Sequence, residues 1–187
     1  MEIYLVRHTT PHIDKGICYG VSDIPLATSF EKELRVLKQK LPSDKNIPYY
    51  CSPLSRCKKL AETLEPTQVI YDHRLQEMNF GAWELKKWEE INQDALEYWV
   101  EDYINRPCPS GEAFIELYHR SIAVFEEIKK IEQTTIIVIS HSGVIRSILT
   151  AVLEMPLNKA HSFKLDYGSV SKIEIDDNIV SVTCLNL

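Results

Sequence analysis

Apolar residues fall along this chain in short runs that alternate between two spacings. Residues 2–6, 47–51, 68–71 and 135–140 are compact stretches rich in β-branched and aromatic side chains, bounded by turn formers, and they read as strands. Between them the spacing becomes helical. Phe30, Leu34, Leu37 and Leu41 follow a capping box at Thr28-Ser29-Phe30-Glu31, and Pro42 ends that helix. Ser52-Pro53 supplies an N-cap and a first-turn proline for a second helix, whose stripe is Leu54, Cys57, Ala61 and Leu64 and whose stop is Pro66. A long helix is predicted over 112–132, burying Phe114, Leu117, Tyr118, Phe125, Ile128 and Ile131, and another over 143–153, closed before Pro156. Residues 169–175 and 179–184 form a pair of strands around the turn Asp176-Asp177-Asn178.

Strands alternating with helices predict an α/β sandwich with a mainly parallel sheet, to which the tail adds an antiparallel edge. The TIIVIS run at 135–140 is the most convincing buried strand in the chain. No repeat, low-complexity segment or linker divides the 187 residues, so one domain is expected. Residues 85–110 are helical but irregular and read as a small insertion over the core, a candidate lid. Its aromatic residues Trp88, Tyr98, Trp99 and Tyr103 suit either core packing or a wall against a ring-bearing ligand, with core favoured; Trp83 reads as a packing residue.

A 44% hydrophobic content supports a sizeable core, yet no run of about 18 apolar residues exists to span a membrane. The start, Met1-Glu2-Ile3, is acidic and is interrupted by Arg7, unlike a secretory leader, so a cytoplasmic location is expected. Five scattered cysteines without a C-x-x-C pair read as reduced packing residues. The net charge of −6 argues against nucleic acid as a partner. A small anionic metabolite remains compatible if positive charge is gathered in one pocket. No pattern specifies an oligomeric state.

Charge is gathered in that way. Ligands of open α/β sheets sit beyond the carboxyl ends of the strands. Arg7-His8 follows the first strand, Arg56 opens the helix after the second, Glu77 lies in the loop after the third, and His141 ends the TIIVIS strand. Two arginines, two histidines and one carboxylate therefore come from distant segments to one edge. No ligand spacing in the chain asks for a metal, and no cofactor is expected.

Four stretches carry a resemblance: Val6-Arg7-His8-Thr9, Ser52-Pro53-Leu54-Ser55-Arg56-Cys57, the run from Leu75 through Glu77, Phe80, Gly81 and Trp83 to Glu84, and Ser140-His141-Ser142-Gly143-Val144-Ile145-Arg146. In type and order they resemble the histidine phosphatase, or phosphoglycerate mutase-like, superfamily, with Pro109-Ser110-Gly111-Glu112 as a further match. The resemblance implies a three-layer α/β/α sandwich, His8 as phosphoryl-accepting nucleophile, Arg7, Arg56 and His141 as the phosphate pocket, and Glu77 as proton donor. Ser142 stands where relatives carry glycine, a small exchange that leaves the backbone donor in place for phosphate or substrate. Where several relatives have an asparagine, this chain reads His12-Ile13-Asp14, which leaves Thr10, His12 or Asp14 as substrate contacts, Asp14 being the candidate. The chemistry is coherent. A neutral imidazole can attack phosphorus, guanidinium groups fit phosphoryl oxygens, and one carboxyl can protonate the leaving alcohol and then deprotonate water.

Glu77 and His141 are only 64 positions apart, a spacing shorter than mutases of the superfamily generally have, which favours water as the acceptor. The stretch from Gly16 to Leu26 looks like the G-x-C-Y-G-x-x-D-x-P-L segment of α-ribazole phosphatases, with Tyr19 offering a ring face and Gly20, Ser22 and Asp23 close by. The expected activity is hydrolysis of a small phosphomonoester, α-ribazole 5′-phosphate first. The alternatives are a broad or phosphohistidine-protein phosphatase, a phosphoglycerate mutase, and a non-catalytic phosphate-binding module.

Overall fold

In the computed structural model, which describes residues 1–177 and 179–187, the strand β4 (Thr135–Ser140) lies at the middle of the sheet. Five of its six residues are buried, as a strand covered on both faces requires. Beside it runs β1 (Glu2–Arg7), parallel and in a register that sets Val6 against Ile139 and Arg7 against Ser140. On its other side are β2 (Tyr49–Cys51) and β3 (Val69–Tyr71), also parallel. The tail strands β5 (Val170–Asp176) and β6 (Ile179–Cys184) extend the sheet from β1 as an antiparallel edge, giving the order β3-β2-β4-β1-β5-β6. Asn178, one residue of the predicted tail turn, lies outside the described residues.

The two-residue period of the strands makes three layers. Ile3, Leu5, Ile136 and Val138 point to one face, covered by α4 (Phe114–Ile128) and α5 (Ser142–Val152). Val6, Ile137 and Ile139 point to the other, covered by α1 (Phe30–Lys38) and α2 (Ser55–Leu64). Residues 85–110 contain a single 3-10 turn at Trp88–Glu90 and a short helix, α3 (Gln93–Glu101), capped by the Asn92 side chain, joined by turns. No described helix is long and apolar enough to cross a membrane.

Three helix starts differ from the sequence reading. The capping box ahead of α1 does not form: Ser29 Oγ donates to Glu33 Oε1, whose other oxygen accepts from the Thr10 N–H. Glu112 stands before α4 because its carboxylate accepts from Arg120 and from the Asn79 N–H. Ser52 does not cap α2, which begins at Ser55; Asp23 of the preceding long loop accepts from the Ser55 N–H at 2.8 Å instead. The cap comes from a segment 32 residues away, which is why local spacing misses it. Removing a cap of this type typically costs about 1 kcal/mol. Asp23→Ala is therefore expected to lower the unfolding free energy by about 1 kcal/mol, read as a lower urea midpoint at unaltered slope, and an unchanged midpoint would show that the contact contributes nothing.

Candidate active site

The strand register delivers the site. His8 lies one residue past β1 and its N–H donates to the Ser140 carbonyl at 3.0 Å, so the β1–β4 pairing continues into the loop. His141 is the next residue after β4, and Ser52 the next after β2, its N–H on the Ile139 carbonyl. Three neighbouring strands thus end side by side. The two imidazole rings stand 5.0 Å apart between centroids, close to one strand spacing.

His8 is 1% exposed. Its Nδ1 lies 2.7 Å from the Thr9 carbonyl, which can only accept, so Nδ1 carries the proton and Nε2 holds a lone pair. Arg56 Nε, 3.3 Å away, donates to that lone pair. Burial above all, then the charges of Arg56 and Arg7, hold the His8 pKa well below the ordinary imidazole range. The ring is neutral in the resting protein, with Arg56 contributing more to this than its sequence neighbour Arg7.

Arg56 is fully buried. Its Nη1 donates to the Ser22 carbonyl at 2.9 Å and its Nη2 to the Gly20 carbonyl at 2.5 Å. That loop is in turn held by Glu84, whose carboxylate accepts from the N–H groups of Gly20, Val21 and Ser22. Gly20 has no room for a side chain, since a Cβ would collide with the Met78 carbonyl. Arg7 donates to the Leu165 carbonyl through Nη1 and keeps a buried Nε without a partner. The Tyr167 ring lies 3.9 Å from the Arg7 guanidinium, and its hydroxyl meets that of Tyr19 at 2.5 Å. Among the described residues no carboxylate lies within 4 Å of either guanidinium. Two positive charges are held by carbonyls and left uncompensated, which suits an anion.

His141 is also fully buried and held neutral, by burial first and then by the charges of Arg56 and other neighbours. Its Nε2 is 2.7 Å from Ser52 Oγ and 3.5 Å from Cys57 Sγ, while Nδ1 has no partner among the described residues. Glu77 sits across the site with both oxygens accepting: from the Met78 and Gly143 N–H groups and from Ser142 Oγ. A Cβ at Gly143 would press on the Glu77 carboxylate and on Leu117, so a side chain there would displace Glu77 from its N–H. The Glu77 backbone is fixed from behind by Arg120, which donates to the carbonyls of Arg74, Gln76 and Glu77 and pairs with Glu112.

Beside Arg7 and Glu77 opens a cavity of about 310 Å³. Its walls are Tyr19, Tyr167, Phe80, Trp88, Trp99, Tyr103 and Phe114, with Ser142, Arg146 and His161 as polar members. Trp88, Trp99 and Tyr103 serve both as core packing and as wall, whereas Tyr98 is exposed and Trp83 is buried packing. All five cysteines are free thiols, four of them buried.

The residues expected to meet do meet in Arg7, His8, Arg56, Glu77, His141, Ser142 and Tyr19. Asp14 does not join them. It is exposed and borders a separate groove with Thr10 and His12, because the loop turns away after Thr10, where Ala27 and Glu33 hold the backbone. Gly20, Ser22 and Asp23 act on Arg56 and α2 rather than lining the cavity. Sequence reasoning missed Ser52 as a partner of His141, Arg120 behind Glu77, and Tyr167, Arg146 and His161 in the cavity. Arg146 was legible as the last residue of the fourth motif; the others carry no local signal.

A model of the histidine phosphatase superfamily (branch 1) matches residues 3–187. The chain belongs to that superfamily. This histidine phosphatase is 29% identical over 199 residues to the adenosylcobalamin/alpha-ribazole phosphatase of Escherichia coli K12, covering 100% of this chain and 96% of that protein. It is 28% identical over 196 residues to phosphoserine phosphatase 1 of Hydrogenobacter thermophilus, covering 100% and 92%. Its fold matches the crystal structure of the alpha-ribazole phosphatase of Shigella flexneri with a TM-score of 0.87 at 24% identity, covering 100% and 96%.

Glu84 ties the phosphatase's electrostatics to its stability. Burial pushes its pKa up, but the hydrogen bonds from Ser22, Gly20 and Phe80 outweigh this and leave it below the ordinary carboxylate value. A depressed folded pKa means that the stabilisation is complete above the unfolded-state value and is lost as pH falls through the folded one. Urea unfolding followed from about pH 6 downward is expected to show this loss in the wild type and a flatter acid limb in Glu84→Gln. Equal slopes in the two proteins would remove Glu84 from the account.

Proposed function

We propose that this histidine phosphatase hydrolyses a small phosphomonoester through a phosphohistidine on His8. The observation that supports this most strongly is the pairing of a neutral imidazole, its Nε2 lone pair free of a proton, with two guanidinium groups that no carboxylate neutralises. In the proposed reaction Nε2 attacks phosphorus while the P–O bond to the alcohol breaks. Arg7, Arg56 and His141 take the charge that spreads over the phosphoryl oxygens. An arriving oxygen replaces His8 as the acceptor of the Arg56 Nε–H, which frees the lone pair at the moment it is needed. Glu77, protonated when the ester is bound, gives its proton to the leaving oxygen. Its carboxylate then takes one from the water that attacks the phosphohistidine, releasing phosphate and restoring His8.

For the alcohol we propose α-ribazole, so that the substrate is α-ribazole 5′-phosphate. The aromatic walls of the cavity suit a flat ring, the stretch from Gly16 to Leu26 matches such enzymes, and a curated relative at 29% identity bears that name. One observation favours a second reading, phosphoserine. Arg146 lines the same cavity and has no carboxylate partner among the described residues, a placement suited to a carboxylate on the alcohol. The same reading places the enzyme in the cytoplasm, where five free thiols stay reduced.

Rapid quenching with a 32P-labelled ester, in excess chelator, should trap acid-labile label on the wild type and none on His8→Ala. An active, unlabelled His8→Ala would sink the mechanism. Glu77→Gln is expected to slow alkyl phosphates by about 10²–10⁴ and activated aryl phosphates much less, since the latter need no proton on leaving. A panel of α-ribazole phosphate, phosphoserine, 3-phosphoglycerate and a phosphohistidine peptide decides the alcohol: preference for phosphoserine that Arg146→Met abolishes would replace the first assignment.

A further inference from the structure

We propose that Ser52 is a positioning residue that sets the tautomer of His141, so that this ring presents Nδ1–H rather than a lone pair to the transferred phosphoryl group. The inference rests on the reading of His141 as a phosphoryl donor, and it adds a residue to which no catalytic part has been given.

Hydrogen-bond accounting leads to it. A neutral imidazole has one N–H and one lone pair. His141 Nδ1, buried and without a partner among the described residues, is the atom left for a ligand. With a lone pair there it would repel phosphoryl oxygens; with a proton it donates to them. Its Nε2 must then be the acceptor, and Ser52 Oγ at 2.7 Å is the donor in place. The other polar contacts of that hydroxyl fit this direction. The Leu54 N–H points at Ser52 Oγ at 3.4 Å, which uses an acceptor site of the oxygen and leaves its hydrogen free to turn to Nε2. Cys57 Sγ lies 3.5 Å from Nε2 and also meets Ser52; burial pushes its thiol up to about 12, so it stays protonated and is at most a weak second donor to Nε2, with the Ser140 carbonyl at 3.6 Å to take its hydrogen.

Ser52 is rigid enough to hold the setting. It is fully buried, and its N–H is bonded to Ile139 of β4, the strand that also delivers His141. Donor and acceptor are thus carried by adjacent strands of one sheet. Ser52 lies ahead of the cap position of α2, which begins at Ser55, and Asp23 accepts from the first N–H of that helix.

The decisive measurement is 15N NMR of the full chain labelled at histidine, with the His141 signals assigned by their loss in His141→Gln. Wild type is expected to show a protonated Nδ1 and a pyridine-like Nε2. Ser52→Ala should move His141 toward the Nε2–H tautomer and lower kcat about 10-fold or more, with KM little changed, while Ser52→Thr retains both wild-type properties. An Nε2–H tautomer in the wild type overturns the proposal without recourse to any variant, so a misfolded Ser52→Ala would not protect it. An unchanged tautomer in a folded Ser52→Ala overturns it whatever the activity. Because the tautomer is read in the resting protein, this result is separate from phosphohistidine trapping at His8.

Discussion

The structure is organised around a positive charge that it buries and declines to neutralise. Arg56 has no exposed surface, and a buried charge is tolerated only when its hydrogen-bonding demands are met. A carboxylate beside it would meet them and would also cancel the field an anionic ligand needs. Carbonyl oxygens meet them without cancelling it. Gly20 and Ser22 supply those oxygens, and Glu84 holds their loop by accepting from its N–H groups. The stabilising carboxylate is therefore one peptide layer removed from the guanidinium. In a chain whose net charge is −6, keeping acids out of this pocket is as much a part of the design as placing arginines in it.

Glu77 is the exception, and its surroundings differ in kind. It faces backbone N–H groups and the Ser142 hydroxyl, not a guanidinium. Were it paired with Arg7 or Arg56 it would be locked as a carboxylate and would occupy the place of the phosphoryl group. Arg120, the arginine nearest in role, touches only its carbonyl and spends its charge on Glu112. Backbone and carboxyl are thereby held by separate groups: Arg120 fixes the loop, while the Met78 and Gly143 N–H groups and the Ser142 hydroxyl orient the carboxyl.

Much of this was legible in the chain. The alternation of runs with two-residue and helical spacing located the strands and the longer helices, because burial on one or two faces leaves a period that sequence records. Arg7, His8, Arg56 and His141 were legible because each ends or directly follows a strand, or lies in the first turn of the helix after one, at the carboxyl edge of the sheet. What was not legible is the set of contacts between loops. Ser52-Pro53 has the form of a helix start, yet its hydroxyl turns to His141 while Asp23 caps the helix from the far side of a long loop. Asp14 is close in sequence to His8 but is carried away by a turn, and Tyr167 arrives on Arg7 from the loop before β5. No periodicity encodes such meetings.

The two histidines show how much depends on these contacts. They stand side by side, both neutral and both buried, and on composition alone they would be interchangeable. What separates them is which end of the ring the protein occupies. At His8 the Thr9 carbonyl takes up the Nδ1 proton and leaves Nε2, a lone pair, as the reactive end. At His141 the protein occupies Nε2 and leaves Nδ1. In the proposed mechanism the first ring attacks phosphorus and its neighbour holds oxygen, and what distinguishes them is a backbone carbonyl and a serine hydroxyl rather than the imidazoles themselves.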